Sequence, residues 1–333
     1  MQAAQLLGPN QTLQLEEVIQ PQPGPDEALV QLHAAALNHR DVWIKQGQYP
    51  GIRYPFILGS DGADEVQAVS GRQYAHLVGE AVLINPSLEW GDNPLVQSSQ
   101  YNILGLPRSG TFAQYVVVPT RNLHPKPAHL SFAEAAALPL AGLTAYRAVS
   151  TRANVQPGER VLVTGIGGGV ALFALQFAIA LGAEVWVTSG SEEKIARAVA
   201  LGAKGGTNYR QEGWEKQLVE QAGGPFAAII DGAAGDGFAK LVDAAAVGGR
   251  IVFYGGTAGK INNLVPGRVF WKQLNIMGST MGNDQEFASM VKLVANHRLR
   301  PVIDTVLPFA EISTAIQRME EGQQFGKLVV TMR

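Results

Sequence analysis

A run of glycines separates a short apolar stretch from a longer one in the segment VLVTGIGGGVALFALQFAIALGA, which begins at Val161. Glycines allow a tight turn whose backbone amides can approach a pyrophosphate, and the first turn of a following helix attracts negative charge. The small residues Gly165, Gly168 and Ala171 lie three apart, which departs from a strict Gly-x-Gly-x-x-Gly pattern but still allows close strand–helix packing. A plain glycine turn is the alternative. The predicted phosphate loop contains Gly165, Gly167, Gly168, Gly169 and Val170.

The type of coenzyme is predicted from the end of the next strand, Glu184–Thr188, where an NAD site usually carries an acid that binds both ribose hydroxyls. Here that strand is followed by Ser-Gly-Ser and then by a lysine, and a Tyr-Arg pair follows the next short strand. Hydroxyls and cations suit a ribose 2′-phosphate, which an acid would repel, so the pattern predicts NADPH. The alternative for Lys194 is a solvated helix charge that pairs with Glu192 or Glu193. The predicted contacts are Ser189, Gly190, Ser191, Lys194 and Tyr209.

Composition excludes several classes of function. The 333 residues are 46% hydrophobic and 16% charged, and the formal net charge of -2 with no Lys/Arg run gives no support for a nucleic-acid partner. The chain has no cysteine, which excludes disulfides, thiolate zinc sites, iron–sulfur clusters and cysteine nucleophiles. The first residues lack the pattern of a signal peptide, and the longest apolar stretch, Val170–Leu181, is too short to cross a bilayer. We therefore expect a cytoplasmic protein without a membrane partner.

The elements that position these motifs change in character near Arg160. From there, apolar strands alternate with helices, starting with strand Arg160–Thr164 and helix Gly168–Leu181 and ending with a sixth strand at Leu274–Ser279. This alternation predicts a parallel sheet covered on both faces. The first third instead has short strands between glycine- and proline-rich turns, which predicts a partly open β-barrel. The predicted fold class is α/β, with a doubly wound Rossmann sheet beside a compact β-barrel domain.

Several separated motifs resemble the medium-chain dehydrogenase/reductase superfamily, and they follow the family's order over nearly the whole chain. They are ALNHRDVWIKQGQYP, PFILGSDGADEV, GEAVLINP, GTFAQYVVVP, AAALPLAGLTAYRAV, the glycine loop, GGRIVFYGG and GKLVV. The resemblance implies a GroES-like catalytic domain and a Rossmann domain, with the coenzyme in the cleft between them. We assign residues 1–124 and 282–333 to the GroES-like domain and residues 125–281 to the Rossmann domain.

Zinc members of this superfamily hold their catalytic metal ion with a cysteine, a histidine and a further cysteine or acid. The aligned positions here are Asn38, Ser60 and Leu140, which offer neither a thiolate nor an imidazole. The segment that carries four cysteines in members with a structural zinc is also free of thiols. No pair of histidines has a ligand spacing, and we expect no metal ion. The alternative is a site rebuilt from His39, Asp61, Asp64 or Glu65.

The chain is similar instead to the zinc-free branch of quinone oxidoreductases and related enone and enoyl-thioester reductases. The Asn-x-x-Asp motif of that branch is matched by Asn38 and Asp41, and its Gly-x-Tyr-Pro motif contains Tyr49. Hydride transfer to an electrophile requires positioning and a donor for the developing charge. We expect Asn38 to donate that hydrogen bond, Tyr49 to stack on the substrate or deliver a proton, and Asp41 to orient its neighbours. The alternatives are a turn residue at Asn38 and a core aromatic at Tyr49.

Further coenzyme contacts are implied by the resemblance. His39 falls where some members contact the pyrophosphate, with a surface histidine as the alternative, and Thr144 falls where a family threonine touches the nicotinamide or its phosphate. Lys327, in the closing GKLVV, is a further candidate. Gly255, Gly256 and Thr257 follow the fifth Rossmann strand and are expected to let the coenzyme lie over the sheet edge. Ser279 and Met281, at the end of the sixth strand, are expected to bind the coenzyme carboxamide through backbone groups.

These expectations combine into one function. The sequence predicts an NADPH-dependent, metal-free oxidoreductase that transfers a hydride to a small electrophile, either a quinone or an α,β-unsaturated carbonyl compound. The alternatives are an alcohol or aldehyde dehydrogenase-type oxidoreductase of the same superfamily and a non-catalytic nucleotide-binding protein. The last Rossmann strand, Leu274–Ser279, is an edge that must be paired or covered. Because family members commonly join these edges, we expect a homodimer.

Overall fold

A computed structural model of the chain describes residues 1–332. Its strands are β1 Gln2–Leu6, β2 Gln14–Glu17, β3 Glu27–Ala36, β4 Phe56–Ile57, β5 Asp61–Val69, β6 Ala81–Ile84, β7 Ser87–Leu88, β8 Asn102–Ile103, β9 Tyr115–Pro119, β10 Leu123–Pro125, β11 Arg160–Val163, β12 Glu184–Ser189, β13 Gly205–Asn208, β14 Phe226–Asp231, β15 Ala245–Phe253, β16 Asn275–Gly278, β17 Ile303–Pro308 and β18 Lys327–Thr331. Its α-helices are α1 His39–Lys45, α2 Phe132–Ala137, α3 Pro139–Tyr146, α4 Gly169–Ala180, α5 Glu192–Ala200, α6 Trp214–Gln221, α7 Phe238–Ala244, α8 Pro266–Trp271, α9 Asp284–Asn296 and α10 Ile312–Glu320.

The described residues form two compact units. Unit 1 contains residues 1–141 and 282–332, and unit 2 contains residues 142–281. Residues 125–141, which the sequence analysis assigned to the Rossmann domain, belong to unit 1 because helix α2 packs against strands β3 and β5. The helical segment that contains the LAGLTAY motif therefore starts in one unit and ends in the other.

Unit 2 is built on a six-stranded parallel sheet with the order β13-β12-β11-β14-β15-β16. Counted within the unit, this is the order 3-2-1-4-5-6 of a doubly wound dinucleotide fold. The predicted α/β class with a Rossmann sheet is confirmed. The order reverses between β11 and β14, and ligands of such sheets bind outside the carboxyl ends of the strands at this reversal. The fold thus assigns a particular edge of the sheet to ligand binding.

The central elements of unit 2 are apolar because they are covered on both faces. The residues of β11 from Val161 to Val163 are fully buried, and helix α4, which is apolar on all sides, packs against β11, β12 and β14. In α9, a capping box between Asn283 and Glu286 fixes the first turn.

Unit 1 is mostly antiparallel. Its largest sheet has seven strands in the order β10-β6-β5-β3-β18-β17, with β9 also paired to β3. Strand β3 is the centre of this sheet, because it pairs with β5, β9 and β18. The closing strand β18 pairs with β3, so the C-terminal segment returns to the first unit as the sequence suggested. A three-stranded sheet, β2-β1-β4, and a β7-β8 pair complete the unit.

Some elements had no clear signal in the sequence. Helix α1 is only seven residues long and lies directly in the ALNHRD motif, and strand β17 pairs in parallel with β18 at the sheet edge. Within residues 1–332, no helix combines the length and the apolar character that a membrane span requires.

Candidate active site

The glycine loop of unit 2 connects β11 to α4 in the predicted conformation. Gly165 and Gly167 have φ angles of 62° and 129°, which side chains other than glycine rarely adopt. Gly168 is the N-cap of α4, and no side chain among the described residues caps this helix. The first-turn amides of α4 therefore remain available for a phosphate. The backbone amide of Ile166 donates to Thr188 at 2.8 Å and holds the loop against β12, while Gly169 and Val170 form the first turn of the helix.

The predicted 2′-phosphate residues surround the end of β12. A methyl group built on Gly190 would lie 2.8 Å from the hydroxyl of Tyr209 and 3.0 Å from Nε of Arg210. A methyl group on Gly167 would lie 2.9 Å from Cδ of Lys194, so the lysine side chain crosses the glycine loop. Ser191 caps α5 by accepting from the Lys194 amide, and Ser189 is buried. The structure thus brings two cations, a phenol and two hydroxyls to one edge.

A pocket of about 550 Å³ opens near the carboxyl ends of β14, β15 and β16. Its wall includes the predicted residues Gly255, Gly256 and Ser279. The hydroxyl of Ser279 is buried and has no hydrogen-bond partner among the described residues, so it can still bind a polar ligand group. Thr257 is exposed beside this pocket and donates to the carbonyl of Gly232.

Thr144 and Met281 are brought into contact in unit 2. The threonine hydroxyl lies 3.6 Å from the methionine sulfur, and both residues are buried. On strand β14, which pairs with β11, the last residue is Asp231. Its carboxylate accepts a hydrogen bond from Thr164, the last residue before the glycine loop. Burial raises the pKa of this carboxyl, although the hydrogen bond from Thr164 lowers it. Asp231 is not among the residues predicted from the sequence, although an acid at the end of a central apolar strand is a signal that could have indicated it.

In unit 1, a buried ammonium group contacts Asn38, one of the three aligned zinc-ligand positions, and Asp61, which directly follows another. Nζ of Lys327 lies 2.7 Å from the carbonyl oxygen of Leu37, 2.6 Å from Oδ1 of Asn38 and 3.0 Å from Oδ2 of Asp61. Nδ2 of Asn38 donates to the same carboxylate oxygen at 2.9 Å, and the backbone amide of Leu140 donates to Oδ1 of Asp61 at 2.8 Å. Lys327 is 3% exposed and Asp61 is fully buried. We call this set of groups the Lys327 cluster.

The Lys327 cluster does not fit a zinc ion. The groups that could coordinate a metal ion here are the carbonyl of Leu37, the amide oxygen of Asn38 and the carboxylate of Asp61. Zinc sites use thiolate, imidazole and carboxylate ligands instead. The three hydrogens of the ammonium group are matched by three oxygens, so the cluster already holds a cation of its own. Ser60, at the aligned histidine position, instead accepts a hydrogen bond from Arg40 at 2.6 Å. Among residues 1–332, no group of three His, Cys, Asp or Glu side chains is arranged to hold a metal ion.

The predicted catalytic residue Asp41 is fully buried in the first turn of α1. One carboxylate oxygen accepts from the backbone amide of Asn38 at 2.8 Å, and the other has no partner among the described residues. Burial raises the pKa of Asp41 to about 6, although the charge of Arg40 lowers it. A side chain without exposed surface does not touch a substrate, and this one fixes the backbone at Asn38.

Asp41→Asn tests this burial through the pH dependence of stability. The carboxyl titrates near 3.8 when unfolded and near 6 when folded. Between these values the folded state holds a proton that the unfolded state has lost, so the free energy of unfolding falls as pH rises and levels off above about pH 6. We expect urea denaturation between pH 4 and 7.5 to show that the variant lacks this component, which amounts to about 3 kcal/mol. If the free energy of unfolding depended on pH in the same way in the variant and the wild type, the raised pKa of Asp41 would be contradicted.

Tyr49 is half-buried against the core of unit 1, and its ring lies 5.7 Å from the guanidinium carbon of Arg40. This geometry allows a cation–π contact that orients the ring. His39 is the first residue of α1, is exposed, and packs edge-to-face on Trp43. Asn38, at 6% exposure, is the predicted catalytic residue that belongs directly to the Lys327 cluster.

Two family models match the chain. The model described as "Alcohol dehydrogenase GroES-like domain" matches residues 24–128, and the model described as "Zinc-binding dehydrogenase" matches residues 169–296. The first match lies within unit 1, and most of the second lies within unit 2.

Relatives extend over the whole chain. A protein of Leptosphaeria maculans named "Zinc-type alcohol dehydrogenase-like protein YogA" is 38% identical and aligns with 96% of this chain and 94% of its own. An "Acryloyl-coenzyme A reductase" of Sulfurisphaera tokodaii is 30% identical over 99% of each chain. Among solved structures, the "Crystal Structure of NAD-dependent alcohol dehydrogenase" has a TM-score of 0.93 with 38% identity and full coverage of both chains.

Proposed function

Because this chain is an oxidoreductase that belongs to the medium-chain dehydrogenase/reductase superfamily, we propose that it uses NADPH to reduce a quinone or an α,β-unsaturated carbonyl compound without a catalytic metal ion. The observation that carries the proposal is the Lys327 cluster, in which an ammonium group contacts Asn38, the residue aligned with the first zinc ligand.

The residues of the cluster favour an electrophile over an alcohol. Oxidation of an alcohol requires a group that accepts the hydroxyl proton, and a metal ion commonly supplies this help. Here the cation is an ammonium with all three hydrogens engaged, and Asp41 is too deeply buried to reach a substrate. A quinone or a conjugated C=C is already electron-poor, so orientation and one hydrogen-bond donor suffice.

The edge at β12 supports NADPH as the coenzyme. NADPH, when bound, supplies a hydride. Lys194, Tyr209 and Arg210 can hold the 2′-phosphate there, and β12 itself ends in Ser189 rather than in a carboxylate that would repel it. The amides of the glycine loop and of α4 can hold the pyrophosphate, and Ser279 can bind the carboxamide through its unpartnered hydroxyl.

The roles proposed for unit 1 follow from its geometry. Asn38 keeps one Nδ2 hydrogen beyond the bond to Asp61, and this N–H can donate to the oxygen of the substrate, where negative charge develops. Tyr49 can stack on a flat substrate, or its phenol can protonate the carbon or oxygen that remains after hydride addition. The hydride and one proton together complete a two-electron reduction.

A second candidate is an alcohol or aldehyde dehydrogenase, which the names of two relatives at 38% identity favour. The acryloyl-coenzyme A reductase, by contrast, is named for reduction of an activated C=C. A non-catalytic nucleotide-binding protein remains the third hypothesis. It is less favoured because Asn38, Asp41 and Tyr49 occur together with an intact glycine loop.

A substrate panel separates the three candidates. Purified protein is assayed with NADPH or NADH against 9,10-phenanthrenequinone, trans-2-hexenal and hexanal, and with NADP⁺ or NAD⁺ against 1-hexanol. We expect NADPH-dependent turnover of the quinone or the enal and little turnover of the saturated aldehyde or alcohol. Turnover of hexanal and hexanol alone would favour the dehydrogenase, and coenzyme binding without any turnover would favour the non-catalytic protein.

We also propose that the protein is a homodimer joined at the edge of the unit 2 sheet. Strand β16 pairs with β15 alone among the described strands, so one side of its backbone lacks a strand partner. The adjacent α8 exposes Phe270 and Trp271. Light scattering at micromolar concentration is expected to give twice the mass of the 35.5 kDa chain, and a single-chain mass would contradict the dimer.

A further inference from the structure

The Lys327 cluster connects parts of unit 1 that are far apart in sequence. Lys327 begins the closing strand β18, Asn38 precedes α1, and Asp61 begins β5. Each of the three side chains is at most 6% exposed, and each contacts both of the others. A buried lysine and a buried aspartate are costly unless they are paired and hydrogen-bonded, and here both conditions are met.

The chemistry of the partners fixes the orientation of the Asn38 amide. An ammonium group has no acceptor, so it must face the amide oxygen, and an ionised carboxylate has no donor, so it must face the amide nitrogen. The observed contacts, Lys327 Nζ to Oδ1 and Nδ2 to Asp61, satisfy both requirements. Rotation of the amide by 180° would place N–H against ammonium and oxygen against carboxylate. The two neighbouring charges therefore allow one orientation.

We infer that Lys327 is a positioning residue that replaces a bound metal ion as the fixed cation of this site. Its ammonium group fixes the positions of the Asn38 amide and the Asp61 carboxylate. The remaining Nδ2–H of Asn38 is then oriented to donate to a carbonyl or quinone oxygen of the substrate. Its role is to orient these groups, because Nζ contacts oxygens of Leu37, Asn38 and Asp61. The inference rests on the proposed reduction for its kinetic readout.

The first test removes the ammonium group in two ways. Lys327→Met keeps most of the side-chain volume, and Lys327→Ala leaves a cavity with the shape of n-propylammonium. We expect kcat to fall by about 10- to 100-fold in both variants, as for other residues that orient a reacting group, with unchanged NADPH affinity. Because cavities in protein cores bind ligands that fit them, n-propylammonium is expected to restore part of kcat in Lys327→Ala with a saturable dependence.

Controls distinguish the ammonium from other effects. n-Propanol has the same shape without charge, and tetramethylammonium has charge without an N–H donor, so neither is expected to restore activity. Lys45→Ala removes another lysine of unit 1, which pairs with Glu320, and is expected to keep the wild-type kcat. Wild-type kcat in both Lys327 variants would overturn the inference. Equal rescue by propanol, or no rescue by propylammonium, would also overturn it, because the loss would then be one of packing.

A measurement on the unmodified protein does not depend on the folding of any variant. In protein labelled with ¹⁵N-lysine, the Lys327 ammonium is expected to give a ¹H–¹⁵N signal that persists at pH 7, because its hydrogens are sheltered from exchange with water. Absence of such a signal would overturn the cluster itself. Failure of the proposed reduction is a separate result, seen as wild-type protein that turns over no compound of the panel while this signal is present.

Discussion

Gly110→Ala is expected to destabilise the protein by about 4 kcal/mol or more, the largest single-residue effect that we predict. A methyl group on Gly110 would lie 1.9 Å from the carbonyl oxygen of Gly59 and 2.5 Å from that of Leu58. Both atoms belong to the backbone, and the segment cannot move aside easily because Thr111 and Phe112 donate hydrogen bonds to Gly59 and Leu58. Urea denaturation and the yield of folded protein measure the effect.

A matched glycine shows whether the effect is steric. A methyl group on Gly237 would meet no atom within 4 Å, and its φ of -69° is ordinary for alanine. Gly237→Ala is therefore expected to leave the free energy of unfolding within about 1 kcal/mol of the wild type. Equal stability of the two variants would contradict the close approach of the Gly110 backbone to the carbonyl groups of Leu58 and Gly59.

Lys194→Ala is expected to weaken NADPH binding by about 1.5–3 kcal/mol and to leave NADH binding almost unchanged. The lysine side chain crosses the glycine loop at Gly167, on the same sheet edge where Tyr209 and Arg210 surround Gly190. A ribose 2′-phosphate there would accept a charge-assisted hydrogen bond that NADH cannot form. The dissociation constant for NADPH should rise about 10- to 150-fold in a fluorescence titration.

Lys204→Ala provides the control for net charge, because Lys204 is an exposed lysine of the same unit that precedes β13. Its NADPH affinity is expected to equal that of the wild type at moderate ionic strength. Equal losses of NADPH and NADH affinity in Lys194→Ala would mean that the lysine supports the loop rather than the 2′-phosphate, and the coenzyme assignment would then fail.

The parts of the fold that sequence predicted best are those with a local cause. The apolar strand before Gly165 and the apolar helix after it marked the first βα unit. The sequence also indicated that Ser191, Lys194 and Tyr209 would lie near one another. They follow the neighbouring strands β12 and β13, and a parallel sheet brings the carboxyl ends of neighbouring strands to one edge.

The Lys327 cluster could not be predicted from local sequence patterns, because its residues are far apart in the sequence. Lys327 and Asn38 are separated by 289 positions, and Lys327 and Asp61 by 266. The GKLVV motif showed a lysine at the start of an apolar strand and indicated only a candidate coenzyme contact. Only the antiparallel pairing of β18 with β3 brings this lysine beside the residues that precede α1. Helix α1 itself, at seven residues, was too short to give a periodic signal.

The measurement that tests the central claim most directly is elemental analysis of fully active protein, combined with assays before and after treatment with a chelator. With NADPH and the quinone or enal that is turned over fastest, we predict far less than one equivalent of any divalent metal per chain and a kcat that the chelator does not change. One equivalent of zinc per chain, lost together with activity and restored together with it, would contradict the claim that Lys327 supplies the fixed cation.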